Sequence, residues 1–488
     1  MIATKQSFNE YAIHTILGAL IVSLSACVVG PDFKKPDLPI SNSFTREQKA
    51  ADSKQAGLVG ADWWKNYESP ELNKLVDLAL KHNSNIASAT SNLKLAQQNT
   101  IAQQGYYFPI ITAGTSRTIL NNGVSGSSSL NGIGGAGPGV GAPTYSVNNA
   151  GLSVGFVPDI FGGNRRAVES LKGIENNAKY QLAALQITVV TTVIQTVSQE
   201  TTLREELRLA IAAEQSASKQ LEHLRRMTAI GYNSGVDLAS QESAYAAVSS
   251  QLPVLRKLHD QSIDMLNVLC GEFPSAMLNI PNIDSIKVPK ELPSAVPSAW
   301  IENRPDVKAA EEIVRSSNAQ IGVAIAAMIP QISISGFTGA TAGAFSSLKN
   351  TLNRSWSETL NVNQTVFAGG TLLARKRAAE ANLESSLSQY KTAVLTAFQN
   401  VADTLYAIDQ DKASWEIAKK NVEATRKIYQ HVQTQYDKGY ASEPALLSAE
   451  QAYLISDINR VQAYALYLGD TAALYQSLGG GWSGPDKK

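Results

Sequence analysis

Cysteine is almost absent: Cys27 and Cys270 are the two among 488 residues, which excludes a disulfide framework. Histidine is nearly as scarce, and His14, His82, His223, His259 and His431 fall at no ligand-like spacing, so structural zinc is excluded. The methionines do not cluster, which leaves a copper-relay lining unsupported. Excess charge is lacking too. The 42 basic side chains are matched by 42 acidic ones, and no basic stripe supplies a field for nucleic acid or an anionic membrane surface. Downstream of the N-terminal segment no apolar run reaches about 18 residues, the length a spanning helix needs. A mature chain that crosses a membrane must therefore do so as a closed barrel. No HExxH, P-loop, dinucleotide fingerprint or nucleophile turn is present. The chain is read as no enzyme, with no metal and no cofactor.

The N-terminus has a distinct character. Lys5 precedes the apolar run Ile16-Leu17-Gly18-Ala19-Leu20-Ile21-Val22-Ser23-Leu24, which has the length of an export signal. The run closes on Leu24-Ser25-Ala26-Cys27, similar to a bacterial lipobox, so Cys27 is expected to become the acylated first residue of the mature chain. The alternative is an ordinary signal cut near Ala26 with an incidental thiol.

The chain is written twice. Residues 231–245 lie over residues 439–453 with eight identities in fifteen at an offset of 208. Phe108-Pro109-Ile110 answers to Ile329-Pro330-Gln331, and Ile160-Phe161-Gly162-Gly163 to Val366-Phe367-Ala368-Gly369. Each half reads as helix, strand, glycine-rich loop, strand, very long helix, tight turn, helix. In the first half the helix covers residues 71–105 and stops before Pro109. A strand follows from Ile110 to about Thr118, then a solvent loop with eight glycines from Gly123 to Gly141. The return strand puts Leu152, Val154, Phe156, Pro158 and Ile160 on one side and Gly151, Ser153, Gly155 and Val157 on the other, the two-residue period of a sheet with one apolar face. The second half repeats the plan with strands at 331–339 and 356–367.

Proline is missing from residues 162–230 and again from 370–438, so each stretch can form one helix of roughly 69 residues and ~100 Å. In the second, Leu387, Tyr390, Val394, Ala397, Val401, Leu405 and Ile408 average a 3.5-residue spacing, a coiled-coil seam. Returning helices are expected at 238–270, kinked at Pro253, and at 446–478, with another helix at 300–328. Stacked end to end, the shorter helices match the long ones, giving a column with strands gathered at one end and helix turns at the other. The expected division is a signal peptide at 1–26, a lipidated extended segment at 27–60, a first repeat at 61–270, an equatorial linker at 271–298, a second repeat at 299–478 and a tail at 479–488. Four strands cannot close a barrel, which needs roughly eight, so several chains must share one.

These residues resemble the outer membrane factor family, the TolC-type exit ducts, and within it the lipidated OprM and NodT branch. The carriers are the lipobox with Cys27-Val28-Val29-Gly30-Pro31-Asp32-Phe33, then Asp62-Trp63-Trp64, Asp159-Ile160-Phe161-Gly162-Gly163-Asn164-Arg165-Arg166, Asn303-Arg304-Pro305-Asp306-Val307, Val366-Phe367-Ala368-Gly369-Gly370 and Leu478-Gly479-Gly480-Gly481-Trp482. The resemblance implies a mainly helical fold with a transmembrane β-barrel. Three copies would form an α-helical barrel topped by a 12-stranded β-barrel, four strands per chain. It also implies outer-membrane localisation with a long periplasmic extension, and passive efflux or secretion alongside a periplasmic adaptor and an inner-membrane pump of the resistance-nodulation-division type. The competing reading is a periplasmic adaptor lipoprotein with helical hairpins.

Site residues follow. Gly231 and Gly439 are helix C-caps, and Ser234 and Ser442 are placed to cap the next helices. The resemblance makes these turns, with Tyr232, Asp237, Leu238, Tyr440 and Leu446, the adaptor-contacting tips. Asp237 reads as a first-turn charge favoured by the helix dipole. Many relatives place a gating aspartate in Leu-Leu-Asp-Ala-Gln. Here the place reads Leu446-Leu447-Ser448-Ala449-Glu450, which leaves Glu443, Ser448 and Glu450 as gate candidates, the glutamates being otherwise solvated surface charges. Arg304, Pro305 and Asp306 read as a structural helix start, with Arg304 also available to pair across a protomer boundary. Cys270 reads as a small buried residue.

Overall fold

The computed structural model describes residues 28–37, 60–121, 144–289, 292 and 298–481. The signal segment, Cys27 and the glycine-rich loop centre fall outside the described residues. Contacts divide the chain into two compact units, neither following the repeat order. The first takes Met1–Lys35, Leu95–Glu175 and Ile313–Ser386, the second Pro36–Lys94, Asn176–Glu312 and Leu387–Lys488.

Among the described residues the helices are α1 (Pro70–His82), α2 (Ser84–Gln104), α3 (Gly163–Ala229), α4 (Gly235–Ser249), α5 (Gln251–Leu269), α6 (Pro305–Ala326), α7 (Thr371–Asp437) and α8 (Glu443–Ser477). The long helices α3 and α7 are each 67 residues and unbroken, as the missing prolines allow. The expected 71–105 helix is instead two. Asn83 interrupts it, because its Oδ1 accepts from the backbone N–H groups of Asn85 and Ile86 at 2.9 and 3.3 Å and starts a new helix. The first returning helix also divides, at Ser250, with Pro253 in the opening turn of α5, where its missing N–H is harmless. Its start is Gly235 rather than Leu238.

The first unit is built on one antiparallel sheet in the order β1 (Ile110–Asn121), β2 (Thr144–Phe156), β3 (Gln331–Ala342), β4 (Arg354–Asn363). Strand β2 begins eight residues before Leu152, and ends before Pro158 and Ile160. Strand β4 ends before Phe367. Helix contacts beside the sheet are made by small polar groups: the Ser170 and Ser316 hydroxyls are 2.9 Å apart, and those of Ser317 and Ser386 2.8 Å.

The second unit holds the apolar core. Trp63, Tyr67, Leu72, Val76, Ile194, Val197, Leu266, Ile286, Leu468 and Tyr475 are buried together. The Trp63 ring stacks on Tyr475 with centroids 4.8 Å apart, and the Tyr67 hydroxyl meets that of Thr471 at 2.9 Å. Buried Cys270 lies in the same cluster, and burial pushes its thiol up to about 11. Of the α7 seam, Tyr390, Val394, Ala397, Val401 and Ile408 are buried.

Candidate functional site

The sheet separates its side chains by chemistry. Facing residues in the ladders share a side, so Ile111, Val154, Gly336 and Glu358 form one row, and Ala113, Leu152, Thr338 and Trp356 the next row on that side. With Phe156, Ile332, Ile334, Leu360 and Val362, this face is predominantly apolar, and Ile111, Trp356, Leu360 and Val362 are exposed. The opposite face carries Thr112, Ser116, Ser153, Ser333, Ser335, Ser357, Thr359 and Asn361. Such a wall suits lipid on one side and water on the other. Large side chains on the polar face are Ile110, Leu120, Tyr145, Val147 and, in the middle of the sheet, Phe337. A Cβ placed on Gly151 or Gly339 would come within 2.9 Å of the Phe337 ring, so these two facing glycines leave room for the ring against the sheet.

Below the sheet, Asp159 replaces the expected end of the return strand. Its carboxylate accepts from the N–H groups of Asn164 and Arg165 at 2.9 and 2.8 Å, anchoring the start of α3. The next residue of α3, Arg166, is buried and holds the N-terminal segment. It donates to the carbonyls of Val29 and Gly30 at 3.1 and 3.2 Å and to Asp32 at 2.7 Å. Gly30, at φ +95°, rests against Gly322, where a Cβ would come within 2.5 Å of the Gly322 Cα. Only paired glycines permit that approach.

The helix turns are built alike. At Gly231 (φ +77°), the Gly231 N–H donates to Thr228 and that of Tyr232 to Met227; at Gly439 (φ +76°), Gly439 donates to Tyr436 and Tyr440 to Gln435. Both are Schellman caps. The same pair of bonds recurs at Gly271 and Gly479, which repeat the 208-residue offset and were missed in the sequence. Tyr232 and Tyr440 are 75% and 83% exposed, so each turn presents an exposed aromatic. The turns then diverge. Ser234 and Asp237 form a reciprocal capping box, whereas the Ser442 side chain makes no cap bond, and α8 begins at Glu443 with Pro444 in its first turn. Leu238 and Leu446 are half-buried.

Among the gate candidates, Ser448 is exposed between buried Leu447 and Ala449, and Glu450 is half-buried beside Tyr429, whose hydroxyl it helps to push up after burial does so. Glu443 is not a free surface charge. Its Oε2 lies 2.7 Å from His223 Nδ1 of α3, a partner that nothing in the sequence spacing revealed.

Arg304 precedes α6 at Pro305. Its guanidinium is buried and grips Asp306 through two bonds of 3.0 and 2.7 Å, while Nη1 donates to the Ser477 carbonyl at the end of α8. The bidentate pairing available across a protomer boundary is thus made inside the chain. A further group went unnoticed in the sequence: burial, then the neighbouring Asp411, pushes the Asp470 carboxyl up to about 6.

A sheet with one apolar and one polar face, in a chain that also carries two unbroken 67-residue helices, is the pattern of an outer-membrane channel. The sequence pattern of the outer membrane efflux protein family matches residues 75–272 and 296–480, and the chain belongs to that family. It is similar to the pyoverdine export outer membrane protein OpmQ of Pseudomonas putida, 26% identical over 96% of this chain and 97% of that one. It is also similar to outer membrane protein OprJ of Pseudomonas aeruginosa, 27% identical over 96% of each. Among solved structures, the outer-membrane channel OprN superimposes with a TM-score of 0.79 at 26% identity, over 93% of this chain and 100% of that one. The Campylobacter jejuni CmeC outer membrane channel gives 0.80 at 19% identity, over 94% and 96%. The chain is an outer-membrane efflux channel, and the adaptor reading is not supported.

Proposed function

We propose that three copies of this chain close one 12-stranded barrel, through which small molecules pass outward from a periplasmic adaptor and an inner-membrane pump of the resistance-nodulation-division type. The observation that carries this reading is the four-stranded sheet itself. It has one apolar face, one polar face and two outer strands, β1 and β4, with no partner on their far edges among the described residues. Unpaired strand edges in a bilayer are untenable, and four strands are too few to close. The exposed turns at Tyr232 and Tyr440 are the adaptor-contacting tips, and packing between them closes the duct at rest, without an acidic ring at Ser448.

The same reading gives Cys27 a covalent lipid. The following residue, Val28, packs on Gly162 at the foot of the sheet, and Val29 N–H donates to Phe161 O at 3.1 Å. The described chain next to the proposed anchor, Val28 and Val29, thus runs beside the foot of the strands. Mass measurement of the detergent-extracted protein tests the assembly: a trimer is expected, and a stable monomer with full helix content overturns it. Mass spectrometry of the mature N-terminus is expected to show a diacylglyceryl adduct, and an unmodified thiol refutes the anchor.

A further inference from the structure

The strands hold three charged side chains, Arg117 on β1 and Arg354 and Glu358 on β4. All three are on the two outer strands, and all lie on the apolar face by ladder parity. Arg354 opens its strand, where headgroups can accept a charge. Arg117 and Glu358 sit inside theirs. Both are exposed, and neither makes an ion pair with a described residue. A lone carboxylate or guanidinium facing hydrocarbon is costly, so each calls for an opposite charge beyond its own sheet edge.

The register says where that charge lies. Neighbouring strands end nearly level: Ile110 faces Gly155, one residue from the end of β2; Phe156 faces Ile334, three into β3; Gln331 faces Asn363, the last residue of β4. When β4 meets β1 of the next copy under the same rule, Ile110 of that copy comes opposite Asn363 or up to about three positions beyond it. Residues that face each other must share a side. Two registers satisfy both conditions, and they put Glu358 opposite Thr115 or opposite Arg117. Arg117 is then the diagonal or the direct neighbour, within reach of a long side chain in either case.

We propose that Glu358 of one protomer and Arg117 of the next form an ion pair on the lipid-facing side of the β4–β1 seam, joining the copies and fixing their register. The inference rests on the shared barrel proposed above. Each charge answers the desolvation of the other, and a seam slipped by one residue would bury one of them in the lumen wall and leave the other in lipid.

The test is charge reversal in the full-length protein, extracted from outer membranes in mild detergent. Trimer content is read by native mass spectrometry, and the temperature of trimer dissociation by semi-native gel. Arg117→Glu and Glu358→Arg are each expected to lower recovered trimer at least tenfold or to drop the dissociation temperature clearly, and the double reversal to recover most of the loss. Of the Arg117→Cys/Glu358→Cys and Thr115→Cys/Glu358→Cys proteins, the one whose cysteines face each other directly is expected to give oxidant-dependent cross-linked trimers with the helical content unchanged. A double reversal no better than either single variant, with wild-type protein trimeric, overturns the pair and leaves the shared barrel standing. A monomeric wild-type protein overturns both.

Discussion

His223 of α3 and Glu443 of α8 lie 2.7 Å apart, so a residue near the end of one long helix is fastened to the first residue of the helix that leaves the other turn. Both side chains are about 30% exposed, so the pair is a brace of modest strength, about 0.5–1 kcal/mol. Amide exchange at residues 228–234 and 439–444 is expected to quicken to a similar degree in His223→Ala and Glu443→Gln, and no further in the double variant. Independent, additive quickening would show that the two residues do not act together.

Arg304 is expected to tolerate no conservative exchange. Lysine cannot hold both Asp306 oxygens and the Ser477 carbonyl at once, so Arg304→Lys should destabilise the protein by about 2–4 kcal/mol. Thermal melting in detergent measures this, and an unchanged midpoint would contradict the role given to Arg304.

Asp470 gives the protein a pH dependence of definite sign. Its folded carboxyl is raised from 3.8 to about 6 by burial and by Asp411, so the folded chain holds a proton that the unfolded chain releases at lower pH. The stabilisation is complete below about pH 4 and lost as pH rises through about 6. Melting temperature should therefore fall across that window. Asp470→Asn should flatten that component; an Asn variant with the wild-type slope would assign the titration elsewhere.

Most of the architecture was legible because its signals are local and repeated. A proline-free stretch allows a long helix, a glycine after it supplies the left-handed cap, and the offset of 208 marks the two turns as copies. What was not legible depends on side chains acting at a distance or against pattern. Asn83 breaks a helix with neither proline nor glycine, by bonding its own backbone. The middle of β2 reads as Asn148-Asn149-Ala150-Gly151, with no apolar alternation, and Asn148 is held by donating to Ala342 O at 3.2 Å on β3. The partners of Glu443 and Asp470 lie 220 and 59 residues away along the chain, beyond any spacing rule. Arg304 was legible as a helix start but not as the clamp on the end of α8.

The central claim is that the chain forms a duct held shut at its turns by packing, and planar-bilayer conductance of the purified oligomer tests it most directly. Wild-type channels should pass small currents, and Tyr440→Ala with Leu446→Ala should raise the conductance several-fold, while Ser448→Ala leaves conductance and divalent-cation block nearly unchanged. Opening by Ser448→Ala alone, or complete loss of closure in Glu450→Gln, would place the gate in a polar ring; no conducting steps in any variant would contradict the duct itself.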